Sequence, residues 1–204
     1  MELKVEHIKK SYKKTHVLKD VSFEAHDGEC IAFTGDNGSG KTTFLSILVG
    51  VEKADAGSVI LDGKKVTGDM NGNSRLGFVP QINPLPDNLK VKECLRLWCD
   101  DKESFEYISK RYNLVDILDK KISKLSGGMK RRVAIACAMA TNPEILVMDE
   151  PTAALDVKYK TLIHKDMRRF VEDGGLLIMV THEREEMEMC NRCYRLVKGR
   201  NEEV

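Results

Sequence analysis

Alternating apolar and polar residues divide the first part of the chain into short strands. The apolar members of this pattern share one face of each strand: Leu3, Val5, Val21 and Phe23. Turns are predicted at Lys13-Lys14 and Asp27-Gly28. Cys30–Thr34 is a short apolar run that ends at a glycine-rich loop, after which residues 43–49 have helical spacing and Gly50 predicts a stop. The pattern further predicts a hairpin over 57–66 and a strand over 75–79.

Helical periodicity takes over from about residue 90 to residue 140. The predicted helices are 91–99, 102–112, 115–119 and Gly127–Ala140. The last third alternates strands and helices: strands over 144–148, Leu176–Val180 and 194–197, and helices over 156–172 and 184–189. Strands that alternate with helices imply a mostly parallel sheet, so we expect one α/β domain over 1–204, without internal repeats or linkers.

Composition and charge exclude several classes of protein. The chain has 204 residues, of which 42% are hydrophobic, enough for a real core rather than a disordered segment. Its 33 basic and 32 acidic residues nearly cancel, so no overall field favours nucleic acid or an anionic membrane. No apolar run approaches the roughly 20 residues of a membrane span. Residues 1–4 begin no apolar leader, and we therefore expect a cytoplasmic chain.

The six cysteines are too sparse for a disulfide framework, and we expect reduced thiols. Cys190 and Cys193 have the spacing of a metal or redox pair, but the chain offers no second pair at a matching distance. Ordinary packing is the favoured interpretation, and a metal or redox role is the alternative.

A phosphate-binding loop is the strongest local signal. It has the form GxxxxGK[ST] and consists of Gly35, Asp36, Asn37, Gly38, Ser39, Gly40, Lys41 and Thr42. It follows an apolar strand and opens a helix, where bare N–H groups and the helix dipole favour phosphate. Lys41 would reach the β- and γ-phosphates, and the Thr42 hydroxyl would bind Mg²⁺. The alternative is a glycine-rich turn with a surface lysine, which would not require an apolar strand before the loop and a helix after it.

Two further strands place chemistry at the same predicted sheet edge. Asp149 and Glu150 follow a continuous apolar run, and ligands of doubly wound sheets bind at that edge. Asp149 would hold Mg²⁺ and Glu150 would take a proton from the attacking water, although both acids could instead cap the next helix. His182 follows the strand Leu176–Val180 and could hydrogen-bond the γ-phosphate; a structural histidine is the alternative.

Leu125-Ser126-Gly127-Gly128 opens a helix with two glycines after a serine. Each glycine costs about 1 kcal/mol relative to alanine in a helix interior, so the pair calls for a reason. Exposed N–H groups that meet an anion would supply one; a simple N-cap turn is the alternative.

The order of these motifs resembles the nucleotide-binding domain of ATP-binding cassette (ABC) transporters over essentially the whole chain. The phosphate loop is similar to Walker A, Leu125–Gly128 to the signature sequence, and Ile145–Asp149 to Walker B with Glu150 after it. The remaining likenesses are Ala153-Ala154-Leu155-Asp156 to the D-loop, Gln81 to the Q-loop glutamine, His182 to the switch histidine and Tyr12 to the aromatic residue that stacks on adenine. A surface tyrosine is the alternative for Tyr12.

The resemblance implies a fold, two cofactors and a set of site residues. The fold would be α/β: a RecA-like P-loop NTPase core with an N-terminal antiparallel β-subdomain and a small α-helical subdomain over approximately 85–140. ATP and Mg²⁺ would be bound. The implied catalytic residues are Glu150 and His182, and the implied metal-binding residues are Thr42, Gln81 and Asp149. The implied nucleotide-binding residues are Tyr12, Gly35, Asp36, Asn37, Gly38, Ser39, Gly40, Lys41, Thr42, Thr43, Gln81, Ser126, Gly127, Gly128 and Asp156.

The resemblance also implies partners. Two copies would associate head to tail, so that Ser126 and Gly128 of one copy cover ATP on the Lys41 loop of the other. The leading function is the ATPase subunit that powers separate permease subunits at the inner face of the membrane, with Met129 in the signature stretch favouring an exporter. The alternative is an ABC ATPase that regulates a non-transport complex mechanically.

Nucleic acid is not expected as a partner, although basic residues cluster near the signature stretch. We interpret this cluster as a solvated helical face; its members are Lys120, Lys121, Lys124, Lys130, Arg131 and Arg132. Homodimer and heterodimer, and the transported substrate, stay open at this stage.

Overall fold

The computed structural model describes residues 1–66, 75–82, 84–153 and 155–204. Ten strands lie within these ranges: β1 Glu2–Tyr12, β2 Thr15–His26, β3 Cys30–Thr34, β4 Ala56–Leu61, β5 Lys64–Val66, β6 Leu76–Val79, β7 Ile145–Asp149, β8 Leu176–Val180, β9 Arg192–Val197 and β10 Arg200–Glu203. The helices of the same ranges are α1 Lys41–Leu48, α2 Val91–Arg96, α3 Lys102–Arg111, α4 Gly127–Ala140, α5 Val157–Glu172 and α6 Arg184–Glu188.

All ten strands join one sheet in the order β5-β4-β1-β2-β10-β9-β3-β8-β7-β6. The half from β9 to β6 is parallel, whereas β1, β2, β4 and β5 pair in antiparallel fashion. The sheet is therefore mixed, with the predicted parallel arrangement confined to one half. The expected antiparallel β-subdomain corresponds to the other half.

Strand β10 joins the two halves. It pairs with β9 along its length and touches β2 in parallel register at Arg200 and Asp20. The Asn201 side chain adds two bonds to β2, accepting from the Ser22 N–H at 3.0 Å and donating to the Ser22 carbonyl at 2.9 Å. Its polar sequence gave no strand signal, so β10 was not predicted.

Helices cover both faces of the parallel half. Every residue of β7 and β8 is buried, as their unbroken apolar sequences require. Side chains of β7 alternate between two apolar clusters: Val147 packs with Phe33 and Phe44 of β3 and α1, whereas Met148 packs with residues of the helices from α2 to α5. The sheet thus holds its carboxyl edge, where the loops after β3, β7 and β8 emerge, on a rigid base.

The hairpin, both early turns and most helix positions agree with the sequence predictions, and three details do not. The predicted helix over 115–119 is a single 3₁₀ turn, Val115–Ile117. The first helix of the middle region ends at Arg96, not at residue 99. The sheet is only half parallel. Within the described residues, no helix combines the length and the apolar character needed to cross a bilayer.

Candidate functional site

The loop between β3 and α1 is wrapped tightly by glycines with positive φ. Gly35 has φ +146° and Gly40 has φ +103°. A Cβ on Gly35 would lie 2.6 Å from the Leu196 carbonyl oxygen, and one on Gly40 would lie 2.8 Å from the Leu18 side chain. Only glycine fits both positions, so the loop brings its backbone close to whatever binds at the start of α1.

Lys41 occupies the first position of α1, and its side chain folds back over the loop. Its ammonium donates to the carbonyl of Gly35 at 2.6 Å and to that of Asp36 at 3.1 Å. The residue is buried, yet within the described residues it has no carboxylate partner at ion-pair distance. The buried Ser39 hydroxyl, in the same loop, has no hydrogen-bond partner. A buried cation and a buried hydroxyl that lack anionic partners fit a phosphate ligand.

Thr42 and Asp149 meet at the mouth of the loop. The Thr42 hydroxyl donates to a carboxylate oxygen of Asp149 at 2.9 Å. Asp149 ends β7 and is buried, and this burial raises its pKa; the neighbouring charge of Glu150 acts in the same direction, and the bond from Thr42 opposes it. A hydroxyl and a desolvated carboxylate in contact are hard oxygen ligands of the kind that Mg²⁺ takes.

Glu150 stands beside them with a strained backbone. Its φ of +51° is unusual for a residue with a side chain, and its N–H donates to the Val180 carbonyl of β8 at 2.8 Å. The amide of Gln81 donates to its carboxylate at 3.1 Å, and the His182 ring nitrogen lies 4.0 Å from the other carboxylate oxygen. The structure thus brings together three residues predicted from separate strand ends.

Tyr12 lies at the rim of the same cleft. It ends β1, is 45% exposed, and carries the Lys10 ammonium 5.3 Å from its ring centre. The cleft has a volume of about 370 Å³, and its wall consists of Tyr12, Val17, Asn37, Gly38, Gly40, Lys41, Thr42, Thr43, Gln81, Asp149 and Glu150. Larger concavities of 670 Å³ beside β4 and 480 Å³ near the amino ends of β7 and β8 lack this set of groups. The chemistry of its wall, not its size, distinguishes the cleft.

The signature residues do not line this cleft. Ser126 caps α4 and accepts from the Met129 N–H at 3.3 Å; it and Gly127 are exposed, and Gly128 is half-buried. Asp156 caps α5 and is also exposed. Ala154 of the predicted D-loop lies outside the described residues. The helix start at Gly127 and the serine cap are as predicted.

Arg131 and Arg132 correct the interpretation of the basic cluster as a solvated face. Both are buried, with 7% and 4% of their surface exposed. Arg132 stacks on the Tyr159 ring at 3.8 Å. Arg131 donates to backbone carbonyls at the end of β7 and of β6, and its burial lowers its pKa to about 10, so it stays protonated at neutral pH. Helical spacing could have predicted the burial of Arg131, because residues four apart share one face of a helix and Ile135 is buried.

A second buried group links the loops on either side of the cleft. The Glu186 carboxylate, fully buried, accepts from the Thr152 hydroxyl at 2.7 Å and from the Thr181 hydroxyl. The His164 ring lies 3.3 Å from it. Thr152 follows Glu150 by two residues and Thr181 precedes His182, so one carboxylate ties both segments together.

Cys190 and Cys193 pack against the backbone of α6. Their thiols donate to the carbonyls of Glu186 and Met187 at 3.4 and 3.5 Å. In the part of the chain that the structure describes, neither belongs to a group of three possible metal ligands.

A phosphate loop at the carboxyl edge of a parallel sheet, with a hydroxyl–carboxylate pair and a second acid beside it, defines a P-loop nucleoside triphosphatase. Comparison with known proteins narrows this class. Residues 18–153 match the sequence profile of the family described as "ABC transporter", and the chain belongs to that family.

Individual relatives agree with this assignment. The chain is 34% identical over 203 residues to a Nod factor export ATP-binding protein I of Paraburkholderia xenovorans, covering 95% of the chain and 67% of the relative. It is also 34% identical over 218 residues to a sulfate/thiosulfate import ATP-binding protein of Caulobacter vibrioides, covering 100% and 64%. The chain thus spans about two thirds of the length of these relatives.

A solved structure has the same fold. It is a dimeric ATP-binding cassette in a post-hydrolysis state, bound to ADP and Pi. It superposes with a TM-score of 0.90 at 30% identity, over 99% of this chain and 97% of that one. The RecA-like fold expected from the motifs is confirmed. The protein is an ATP-binding subunit of an ABC transporter, and it is an ATPase.

Proposed function

We propose that this ATPase powers a separate membrane permease as an exporter, and that it works as a head-to-tail dimer at the inner face of the membrane. The observation that carries the ATPase part of the proposal is the convergence of Lys41, the Thr42–Asp149 pair and Glu150 in one cleft. These groups are the minimum for binding a triphosphate and activating water against it.

Each side chain has a role that follows from its position. On ATP binding, the Lys41 ammonium exchanges its two carbonyl partners for phosphate oxygens, and the Ser39 hydroxyl gains an acceptor. Glu150 accepts the proton of the attacking water, which Gln81 and His182 orient from either side of its carboxylate. Tyr12 stacks on adenine at the open end of the cleft, with Asn37, Gly38 and Thr43 along its wall.

The donor set also fits Mg²⁺. Thr42 and Asp149 would hold the ion, and we propose that Gln81, which lines the same cleft, joins them. An ion held there would supply charge neutralisation for the β- and γ-phosphates. The raised pKa of Asp149 is consistent with a carboxylate that a cation, when present, keeps ionised.

The second copy would complete the site. Ser126, Gly127 and Asp156 are exposed and lie away from the cleft wall of their own chain, whereas the N-terminus of α4 presents free N–H groups suited to an anion. A two-fold arrangement in which each copy covers the phosphates of the other uses both surfaces at once. The dimeric cassette bound to ADP and Pi supports this arrangement by analogy.

Two features support the permease and the direction of transport. Large apolar side chains are exposed beside Gln81 and after α2, namely Ile82, Leu97 and Trp98 at 83%, 68% and 51%. Exposed side chains of this kind are what a protein partner would cover, and we propose that the permease does so. An exporter is favoured by Met129 in the signature stretch and by the likeness to Nod factor export proteins, although a sulfate importer is about as similar.

The Glu150→Gln variant tests the ATPase cycle. Loss of the base should lower turnover by about 10²–10⁴-fold, while calorimetry should find ATP affinity little changed. The variant should then accumulate as an ATP-dependent dimer in size-exclusion chromatography, and Lys41→Ala is the control that should not. Near-normal turnover would remove Glu150 from the role of base.

Transport is tested separately with the complex. The tagged chain, isolated from detergent-solubilised membranes, should bring a polytopic membrane protein with it. Reconstituted together, the complex should move solute toward the side opposite the ATPase when ATP is supplied. Movement toward the ATPase side would contradict the exporter. A stable complex with a membrane partner that moves no solute would favour the mechanical regulator.

A further inference from the structure

Arg131 contacts the backbone around Glu150 but has no role in the proposed ATPase cycle described so far. Its guanidinium reaches from α4 to four backbone carbonyls. The Nε group donates to Pro151 at 3.1 Å, one Nη group donates to Pro80, and the other donates to both Asp149 and Glu150, the latter at 2.8 Å. One planar group therefore touches two segments of chain that are 69 residues apart at Pro80 and Asp149.

The guanidinium lacks a carboxylate partner among the described residues, although it is buried. Burying a charge is costly unless hydrogen bonds compensate it. Here four backbone carbonyls accept its hydrogen bonds, and the nearby charges of Asp149, Glu150 and Glu186 also favour the cation. A planar fork with five donors is the side chain that can satisfy several carbonyls at once. The buried guanidinium lies against the turn that carries Glu150.

Glu150 needs such support because its backbone is strained. A left-handed φ is unfavourable in a residue with a side chain and persists only when neighbours hold it. Its N–H is held by the Val180 carbonyl, and its own carbonyl is held by Arg131. The peptide groups on both sides of the Glu150 Cα are therefore fixed, and with them the direction of the side chain.

The same guanidinium also fixes the other partner of the Glu150 carboxylate. Pro80, which it contacts, immediately precedes Gln81, and the Gln81 amide donates to Glu150 at 3.1 Å. Arg131 thus fixes the backbone next to Gln81 and at Glu150, the two residues proposed to orient the attacking water. It does so from the helix whose first turn carries Ser126, five residues earlier.

Its neighbours do not share this arrangement. Arg132 faces the Tyr159 ring, with two of its nitrogens lacking hydrogen-bond partners, and Lys130 pairs with Asp87 at 2.8 Å. Only Arg131 of the three contacts the segment around Glu150.

We propose that Arg131 is a positioning residue for ATP hydrolysis, which aims the Glu150 carboxylate and the Gln81 amide at the attacking water by clamping the backbone carbonyls of Pro80, Asp149, Glu150 and Pro151. The proposal rests on the proposed role of Glu150 as the base. Arg131 does not belong to the cleft wall, so we expect its loss to act on the chemical step and to leave nucleotide binding in place.

The test compares Arg131→Met and Arg131→Lys with Lys130→Met, which removes a charge from the adjacent position of the same helix. Steady-state hydrolysis gives kcat and KM, and calorimetry gives ATP affinity. A displacement of about 1 Å at a catalytic group costs up to about 10²-fold, so Arg131→Met should lower kcat by about 10- to 100-fold while ATP affinity stays within about twofold. Arg131→Lys keeps the charge and some of the donors and should fall between it and the wild type. Lys130→Met should match the wild type.

A double substitution separates positioning from general loss of structure. Once Glu150→Gln has removed the base, the positions of residue 150 and Gln81 no longer govern proton removal from water, so adding Arg131→Met should leave the residual turnover within about twofold. An equal further drop in that background would overturn the proposal, as would a normal kcat for Arg131→Met or a loss of ATP affinity. If Arg131→Met does not fold, Arg131→Lys is combined with Glu150→Gln and compared in the same way. Normal turnover by Glu150→Gln alone would instead refute the assignment of the base.

Discussion

Gly127 allows the fold and the proposed dimer to be probed separately with one methyl group. It opens α4 with a negative φ, and an added Cβ would find no atom within 4 Å in the isolated chain. Gly127→Ala should therefore reduce the entropy of the unfolded chain without strain in the folded one. The expected gain in unfolding free energy is about 0.4–1 kcal/mol, which for a chain of this size raises Tm by about 1–4 °C.

The same methyl group should damage the dimer. It would stand on the exposed first turn of α4, where the phosphates of the second copy are proposed to approach the bare N–H groups. A displacement of about 1 Å at a reacting centre can cost about 10²-fold, and we expect a loss of hydrolysis of that order. ATP binding by the single chain should not change, since Gly127 does not line the cleft.

Three measurements read this out: thermal unfolding without nucleotide, calorimetry with ATP, and ATP-dependent dimerisation in the Glu150→Gln background. Gly63→Ala is the matched control, because Gly63 is equally uncrowded but has φ +75°. Its strain should lower stability by about 1–2 kcal/mol without touching the dimer surface. A less stable Gly127→Ala chain, or one that hydrolyses ATP at the normal rate, would refute the reasoning.

Other substitutions test the cleft. Lys41→Ala should weaken ATP binding by about 10- to 100-fold, the worth of a hydrogen bond to a charged group, and an unchanged Kd by calorimetry would mean that the loop is not the nucleotide site. The pKa of Asp149 is raised on folding, so the folded chain holds this proton more firmly and stability falls as pH rises through that pKa. Asp149→Asn should abolish this loss of stability and raise Tm at neutral pH without nucleotide. The same substitution should abolish Mg²⁺-dependent hydrolysis. A lower Tm for Asp149→Asn at neutral pH would contradict this. Ser126→Arg should bind ATP but not hydrolyse it, and mixing it with Lys41→Ala should restore one composite site; no recovery on mixing would count against the head-to-tail dimer.

The buried strands and the phosphate loop could be predicted because each depends mainly on its own local sequence. The unbroken apolar runs predicted the buried strands β7 and β8, and the glycine spacing favoured a tight phosphate loop; the structure agrees with both predictions. The meeting of Lys41, Asp149 and Glu150 was predictable because parallel strands present their carboxyl ends at one edge.

Long-range pairing decided what the sequence analysis missed. Strand β10 has a polar sequence, Arg-Asn-Glu-Glu, and forms only because β9 and β2 offer it partners. The 115–119 segment has too few residues to complete a helix and ends in a 3₁₀ turn.

Burial of charge was the other failure of local reasoning. Arg131 belongs to a run of basic residues that is typical of an exposed face, yet carbonyls more than ten residues away along the chain hold it inside. No charge count reveals such acceptors, because every residue carries a carbonyl.

The shared carboxylate of Glu186 has a consequence for how the two loops around the cleft can move. If the segment of Thr152 or that of Thr181 withdrew by itself, a buried carboxylate would lose one of its donors, at a cost of about 1–3 kcal/mol or more for a charged group. Opening both together exposes the carboxylate to water, which replaces the lost bonds. The shared carboxylate therefore makes a joint movement of the segment after Glu150 and the segment before His182 less costly than a separate movement of either one.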